Sequence, residues 1–188
     1  RFESTILNGY QFGNTIKPAS QFNRTYSTLF PTFYASYKLD SASHHILILS
    51  YGKRINRPFY KDLNPFVSPL DKYTYYAGNP YVKPTFAHNA SLSHSFKNLL
   101  TTSVSYNNMI DNIQETIEIN NGIYYSRPGN IGSSEQYNIS VESSIPFAKW
   151  LNTTIYSELV YSKYKSQLYT QTLNVDGTYW FINATNTF

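Results

Sequence analysis

The sequence predicts an all-β protein whose antiparallel strands form a transmembrane β-barrel. Three observations predict it: long period-two alternation, short turns that alternate with long connections, and strands whose polar face is almost uncharged. The 188 residues suffice for one domain. Aromatic residues make up 18% of the chain, with 19 tyrosines, while charged residues are 14%; globular chains usually carry about 25%. Mean hydropathy is nevertheless −0.42, because Ser, Thr and Asn stand where Lys and Glu usually do. Aromatic, hydroxyl and amide side chains together suit a sheet with one apolar face and one polar, uncharged face.

Several classes are excluded at this level. There is no cysteine, so neither a disulfide framework nor a thiolate metal site can form. The net charge is only +4, and the basic residues are scattered rather than gathered into a stripe, which argues against a nucleic-acid partner. No run approaches the roughly 18 apolar residues of a membrane-spanning helix. The opening "RFESTILNGY" carries no signal peptide and starts as though within a strand. A portion of a longer protein is therefore expected.

The alternation defines six strands in three hairpins. Phe33, Ala35, Tyr37 and Leu39 alternate with Thr32, Ser36 and Lys38, and a turn over 40–43 leads to Leu47, Leu49 and Tyr51. In the next pair, Phe86, His88, Ala90, Leu92, His94 and Phe96 share one face, opposite Thr85, Ala87, Asn89, Ser91, Ser93 and Ser95. A tight turn at Lys97-Asn98 is followed by Leu100, Thr102, Val104, Tyr106 and Ile110 against Thr101, Ser103, Ser105 and Asn107. The third pair sets Tyr137, Ile139, Val141 and Ile145 against Asn138, Ser140, Glu142 and Ser144. After "IPFAKW" come Leu151, Ile155, Leu159 and Tyr161 against Asn152, Thr154, Tyr156 and Glu158.

Between these hairpins lie two long polar connections, near 55–84 and 111–135. Such sorting is the habit of outer-membrane barrels, with short periplasmic turns at one rim and long extracellular loops at the other. Strands of about ten residues match a tilted crossing of the hydrocarbon layer. Tyr51, Tyr106, Trp150 and Tyr161 lie near strand ends, where interfacial girdles form.

The first connection is unusual. The phrases "INRPFYKDLNPF" and "YYAGNPYVKPTF" concentrate proline, asparagine and aromatics. This run, with "LFPTFYASYKLDSASHHILILSYGKRI" before it, resembles the barrel of TonB-dependent outer-membrane transporters in the version common in Bacteroidetes. The resemblance rests on Arg57-Pro58, Leu63-Asn64-Pro65-Phe66, Gly78-Asn79-Pro80 and Lys83-Pro84, in that order. It is strong over 31–96 and looser elsewhere, with "RFEST" standing for an earlier strand. Thr85 departs from the acidic residue frequent after the last proline.

The resemblance implies that the chain is about seven or eight strands of a 22-stranded barrel. The whole would be a transporter importing a scarce solute such as a siderophore or glycan. Its implied partners are outer-membrane lipid, the remainder of the barrel with its plug, TonB through the N-terminal part, and a surface lipoprotein; no cofactor is implied. The chain's last residue, Phe188, suits such proteins, but Asn186 stands where their terminal strand favours an apolar side chain, so a truncation is expected there. Two alternatives stay open: a small complete barrel acting as pore, adhesin or anchor, and a soluble carbohydrate-binding β-sandwich.

Residue by residue, the loop motif reads as a rigid structural clasp. Pro58, Pro65, Pro80 and Pro84 lack N–H groups and fix φ, so they end strand pairing at defined points. Gly78-Asn79 is expected to supply positive φ, and Arg57 to pair with a strand carboxylate or loop carbonyls. No enzyme motif is present. His88 and His94 share a face but lie about 20 Å apart along one strand, too far for one metal. Asp111, Glu115 and Glu118 read as a solvated face, with a cation site as the sharper reading. Tyr73, Tyr75, Tyr76, Tyr124 and Tyr125 offer stacking surfaces for a sugar or siderophore, or simple aromatic crowding. The Asn-x-Ser/Thr triplets at Asn23, Asn89, Asn138, Asn152 and Asn183 follow from composition, and several lie within strands.

Overall fold

The computed structural model describes residues 1–12, 20–168 and 171–188. Its strands are β1 (Phe2–Gln11), β2 (Ser20–Leu29), β3 (Thr32–Lys38), β4 (His45–Asn56), β5 (Val67–Pro69), β6 (Thr74–Ala77), β7 (Thr85–Phe96), β8 (Leu100–Asn120), β9 (Ile123–Ala148), β10 (Leu151–Leu168) and β11 (Gln171–Thr187). A single helical turn, α1 (Tyr60–Leu63), precedes β5. The chain divides into two compact units. The sheet unit comprises Thr32–Arg54, Phe86–Ile110 and Gly132–Phe188, and the clasp unit Arg1–Pro31, Ile55–Thr85 and Asp111–Ile131.

In the sheet unit the strand order is β11-β10-β9-β8-β7-β4-β3. The pairings β3–β4, β7–β8, β9–β10 and β10–β11 are antiparallel. Register aligns like with like. Leu49 sits opposite Ala35, Val104 opposite Leu92, and Leu159 between Ile139 and Trp180. The resulting apolar face is bare: Leu49, Leu92, Val104, Ile139 and Leu159 are 45–52% exposed. A soluble sheet buries such a face under a second layer, which this unit lacks. Among the described residues Val160 is the one buried hydrophobic side chain of the sheet unit. The soluble sandwich is set aside on this ground.

The opposite face is a ladder of small polar groups. Ser50 and Ser91 hydroxyls lie 2.7 Å apart, Ser103 donates to Ser93 at 2.9 Å, and Asn107 donates to Asn89. Farther along, the Asn138 amide donates to Glu158 at 3.1 Å. Two of the four histidines meet each other, and His88 stands apart from them. His88 meets the Tyr51 hydroxyl at 2.9 Å, and His94 meets His45 at 3.1 Å.

Short turns close the hairpins as their chemistry dictates. Lys97 and Asn98 have φ of 51° and 55°, paired left-handed residues within the three-residue connection 97–99, which the Leu99 N–H closes onto the Phe96 carbonyl at 2.9 Å. At the other turn, the Asp40 carboxylate accepts the His44 and His45 N–H groups at 3.1 and 2.8 Å. The His45 bond chiefly holds the Asp40 carboxyl below the usual carboxylate range. This contribution is present at neutral pH and fades as acid protonates Asp40.

The six expected strands are all present, but the segment 111–135 is no irregular connection. β8 runs on to Asn120 and β9 begins at Ile123. Asn121 and Gly122, with φ of 50° and 78°, make the turn between them. Ile117 and Ile119 keep the alternation going inside a stretch whose polar residues conceal it. Five strands went unread by alternation, the short β5 and β6 among them. β1 and β2 form a ten-residue hairpin in the clasp unit, and β11 pairs with β10 along its full 17 residues and is exposed throughout.

Charge on the bare face should be intolerable in a bilayer. Ile139→Lys is expected to destabilise the folded protein by about 2–4 kcal/mol, whereas Ser91→Ala on the polar face should change stability by less than about 1 kcal/mol. Urea unfolding in lipid vesicles measures both. Equal tolerance at the two positions would contradict the face assignment.

Candidate functional site

The clasp unit is built around the proline-rich connection, which many hydrogen bonds from side chains to backbone tie together. Its buried hydrophobic side chains, among the described residues, are Phe30, Leu63, Ala77 and Val82. Pro58 stands just before α1, where a missing N–H costs nothing. The Asp62 carboxylate folds back to accept the Phe59 N–H at 3.2 Å, capping the turn. Its other oxygen accepts the Tyr76 hydroxyl at 2.9 Å. Burial, with Asp62 next in importance, pushes the Tyr76 phenol up to about 12.

Asn64 ends the helical turn. Its side-chain oxygen accepts the Phe66 N–H at 3.2 Å, and its own N–H reaches the Lys61 carbonyl at 3.3 Å. Pro65 between them cannot add a donor. The Asn64 carbonyl then meets Gly78. A Cβ on Gly78 would lie 2.0 Å from that oxygen and 2.8 Å from the Lys61 oxygen. This corrects the expectation from sequence, because neither Gly78 nor Asn79 has positive φ. Gly78 is needed for close backbone approach, not for left-handed geometry.

Asn79 fastens the corner. Its N–H donates to the Asp62 carbonyl at 2.6 Å, its side-chain amide donates to the Pro128 carbonyl at 3.1 Å, and its side-chain oxygen accepts the Tyr81 N–H at 2.9 Å. Pro80 follows, and Val82 is buried. The Val82 carbonyl accepts a guanidinium N–H of Arg24 at 2.7 Å. Asn130 then mimics a strand partner for Lys83, accepting its N–H at 2.7 Å and donating to its carbonyl at 2.8 Å. The same amide nitrogen reaches the Asp111 carbonyl at 2.8 Å, which the Thr85 hydroxyl also approaches at 3.0 Å. Pro84, between Lys83 and Thr85, is buried.

Arg57 pairs with Glu3 of β1 at 2.5 Å, and Arg1 shares that carboxylate. Glu3 chiefly raises the Arg57 pKa. Two of the five loop tyrosines stack on each other, and Tyr76 is held by Asp62. β6 lies parallel to β9, setting Tyr75 against Tyr125 with ring centroids 5.8 Å apart. Arg127 caps Tyr125 at 5.5 Å and pairs with Glu118 at 3.4 Å. Lys72 lies 5.3 Å from the Tyr73 ring, and the Tyr124 N–H donates to the Tyr73 carbonyl. Glu115 accepts the Ser126 hydroxyl. Among the described residues, no three side chains suited to metal binding converge.

The whole chain, residues 1–188, matches the outer membrane protein beta-barrel family, and it belongs to that family. It is therefore an outer-membrane protein. Among solved structures, it is similar to the siderophore receptor PirA from Pseudomonas aeruginosa, with a TM-score of 0.58 at 14% identity over 90% of this chain and 38% of that one. It is also similar to the ferric enterobactin receptor PfeA bound to BCV-L6, with a TM-score of 0.55 at 13% identity over 85% of this chain and 29% of that one. At such identity the likeness is one of fold. The chain thus spans about a third of the length of the receptors it matches. No curated protein matches it in sequence.

Two outcomes follow from the clasp. Gly78→Ala should destabilise the clasp by about 1–3 kcal/mol, read as earlier proteolysis at 57–84. Tyr76 holds a raised pKa, so its contribution is complete below about pH 10, where free tyrosine begins to ionise, and is lost as pH climbs toward about 12. Ultraviolet titration should show that Tyr76→Phe removes the last tyrosine to ionise. An unchanged titration would contradict the Asp62 contact.

Proposed function

We propose that the chain is part of the membrane wall of a TonB-dependent transporter that imports a scarce solute across the outer membrane. The observation that carries this reading is the seven-stranded sheet with a bare apolar face and a Ser/Asn ladder behind it, a pattern suited to a wide, water-filled barrel. The likeness to siderophore receptors over most of this chain supports it. In this reading the polar ladder faces the lumen and the clasp is an extracellular loop. The remainder of the barrel, a plug domain and, through the N-terminal part, TonB are its partners in this reading, with a surface lipoprotein as a further one. The motif residues from Arg57 to Pro84 hold the loop's shape, and solute contact falls to the surfaces that shape presents.

Uptake of a labelled solute, in cells with and without TonB, tests the reading. Uptake should fall to the level of cells lacking the protein when TonB is deleted. Persistent, energy-independent flux would instead favour a simple pore. Outer-membrane residence without any flux would favour an anchor or adhesin.

A further inference from the structure

The hairpin of the clasp unit has two unlike sides, and they fix where the proline-rich loop lies. Exposure alternates strictly along β1 and β2. The described even positions of β1 and odd positions of β2 are bare, and the residues between them are half-buried. Phe2, Ile6, Tyr10 and Leu29, on the bare side, are 62–66% exposed. None of the described residues on that side is charged, and Ser27 there donates to Ser4 at 3.0 Å.

The other side carries Glu3 and Arg24, and it is the side that the segment 57–84 covers. Arg57, at the start of the segment, pairs with Glu3. Farther on, Leu63, Pro65 and Phe66 border one cavity with Leu7, Gly9 and Phe22. On the return, the Val82 carbonyl accepts the Arg24 guanidinium at 2.7 Å. Glu3 and Gly9 are separated by about 20 Å of strand, so the segment runs along the hairpin instead of standing off from it. Gly9 permits the close fit, because the Phe22 ring fills the place of its missing side chain.

We propose that the loop 57–84 is folded inward, against the lumen side of β1 and β2, and narrows the outer mouth of the barrel. Wall strands turn their apolar side outward and their polar side to a wet interior. The charges of Glu3, Arg24 and Arg57 belong on the inner side by that rule, and the bare, uncharged side belongs on the outer one. A loop pinned to the charged side therefore lies within the wall, and the gap beside it sets the size of solute that can enter. The inference deepens the transporter reading and rests on it for the solute, whereas the loop's place rests on the two faces of the hairpin.

The chain has no cysteine, so single cysteines report access. Thr5 lies on the covered side of β1, between Glu3 and Leu7. In intact cells, Thr5→Cys should react slowly with water-borne thiol reagents. Gly78→Ala, whose added Cβ crowds the loop's own Asn64 and Lys61 carbonyls, should speed its reaction with a small methanethiosulfonate about tenfold. A polymer-linked maleimide, too bulky for the mouth, should remain unreactive with and without Gly78→Ala. Unchanged heat-modifiable mobility in SDS gels shows that each variant still folds. If the polymer reacts as readily as the small reagent, the loop covers an outer surface and the inference is overturned. No acceleration with either reagent would overturn it too, since the loop would not be what shields the hairpin. The expected pattern together with TonB-independent uptake would sink the transporter and leave the loop in place. TonB-dependent uptake with a reactive polymer would do the reverse.

Discussion

The hydrocarbon layer offers no hydrogen-bond partner, so every backbone N–H and C=O that enters it must be satisfied by the protein itself. That constraint explains the sheet unit. It demands continuous pairing, which β7 to β11 supply. It also leaves the side chains to solve a second problem, one face meeting lipid and the other water. Leu49, Leu92, Val104, Ile139 and Leu159 answer on one side, and Ser50, Ser91, Ser93 and Ser103 on the other. An apolar face that would ruin a soluble protein here stabilises the inserted one.

The clasp obeys a different logic. Once outside a ladder, backbone groups must find other partners, and they find them in amides and carboxylates. Asp62, Asn64, Asn79 and Asn130 between them satisfy backbone groups at Phe59, Phe66, Tyr81, Pro128, Lys83 and Asp111. Prolines fit this economy because each removes a donor that would otherwise need a partner. The dense turn chemistry of the sequence is thus a folded object in its own right.

The alternating strands were legible because face chemistry is written in every second residue. β2 was not, since Arg24 occupies a position on the Phe22 and Tyr26 face and breaks the pattern. β11 hid for the opposite reason: Trp180, Phe181 and Ile182 run consecutively and erase the period. In the clasp, the prolines and asparagines announced a rigid loop, but their partners could not be named. A side chain bonded to a distant carbonyl, as Arg24 is to Val82 or Asn79 to Pro128, leaves no local trace. Gly78 was noticed for the wrong property, because its true reason is the Asn64 carbonyl, which only the folded chain brings near.

The three successive large residues in β11 carry a consequence for how the wall is assembled. In most strands a one-residue slip would turn the apolar set to the wrong side, so the side chains themselves choose the facing. Around Trp180-Phe181-Ile182 both sides are apolar, and that choice is nearly neutral. The facing of β11 is therefore dictated by its neighbour, through the unbroken register from Asn152↔Thr187 to Leu168↔Gln171. The facing of β10 is thus carried over to β11, and a one-residue slip between them would move the polar and apolar residues of β11 together.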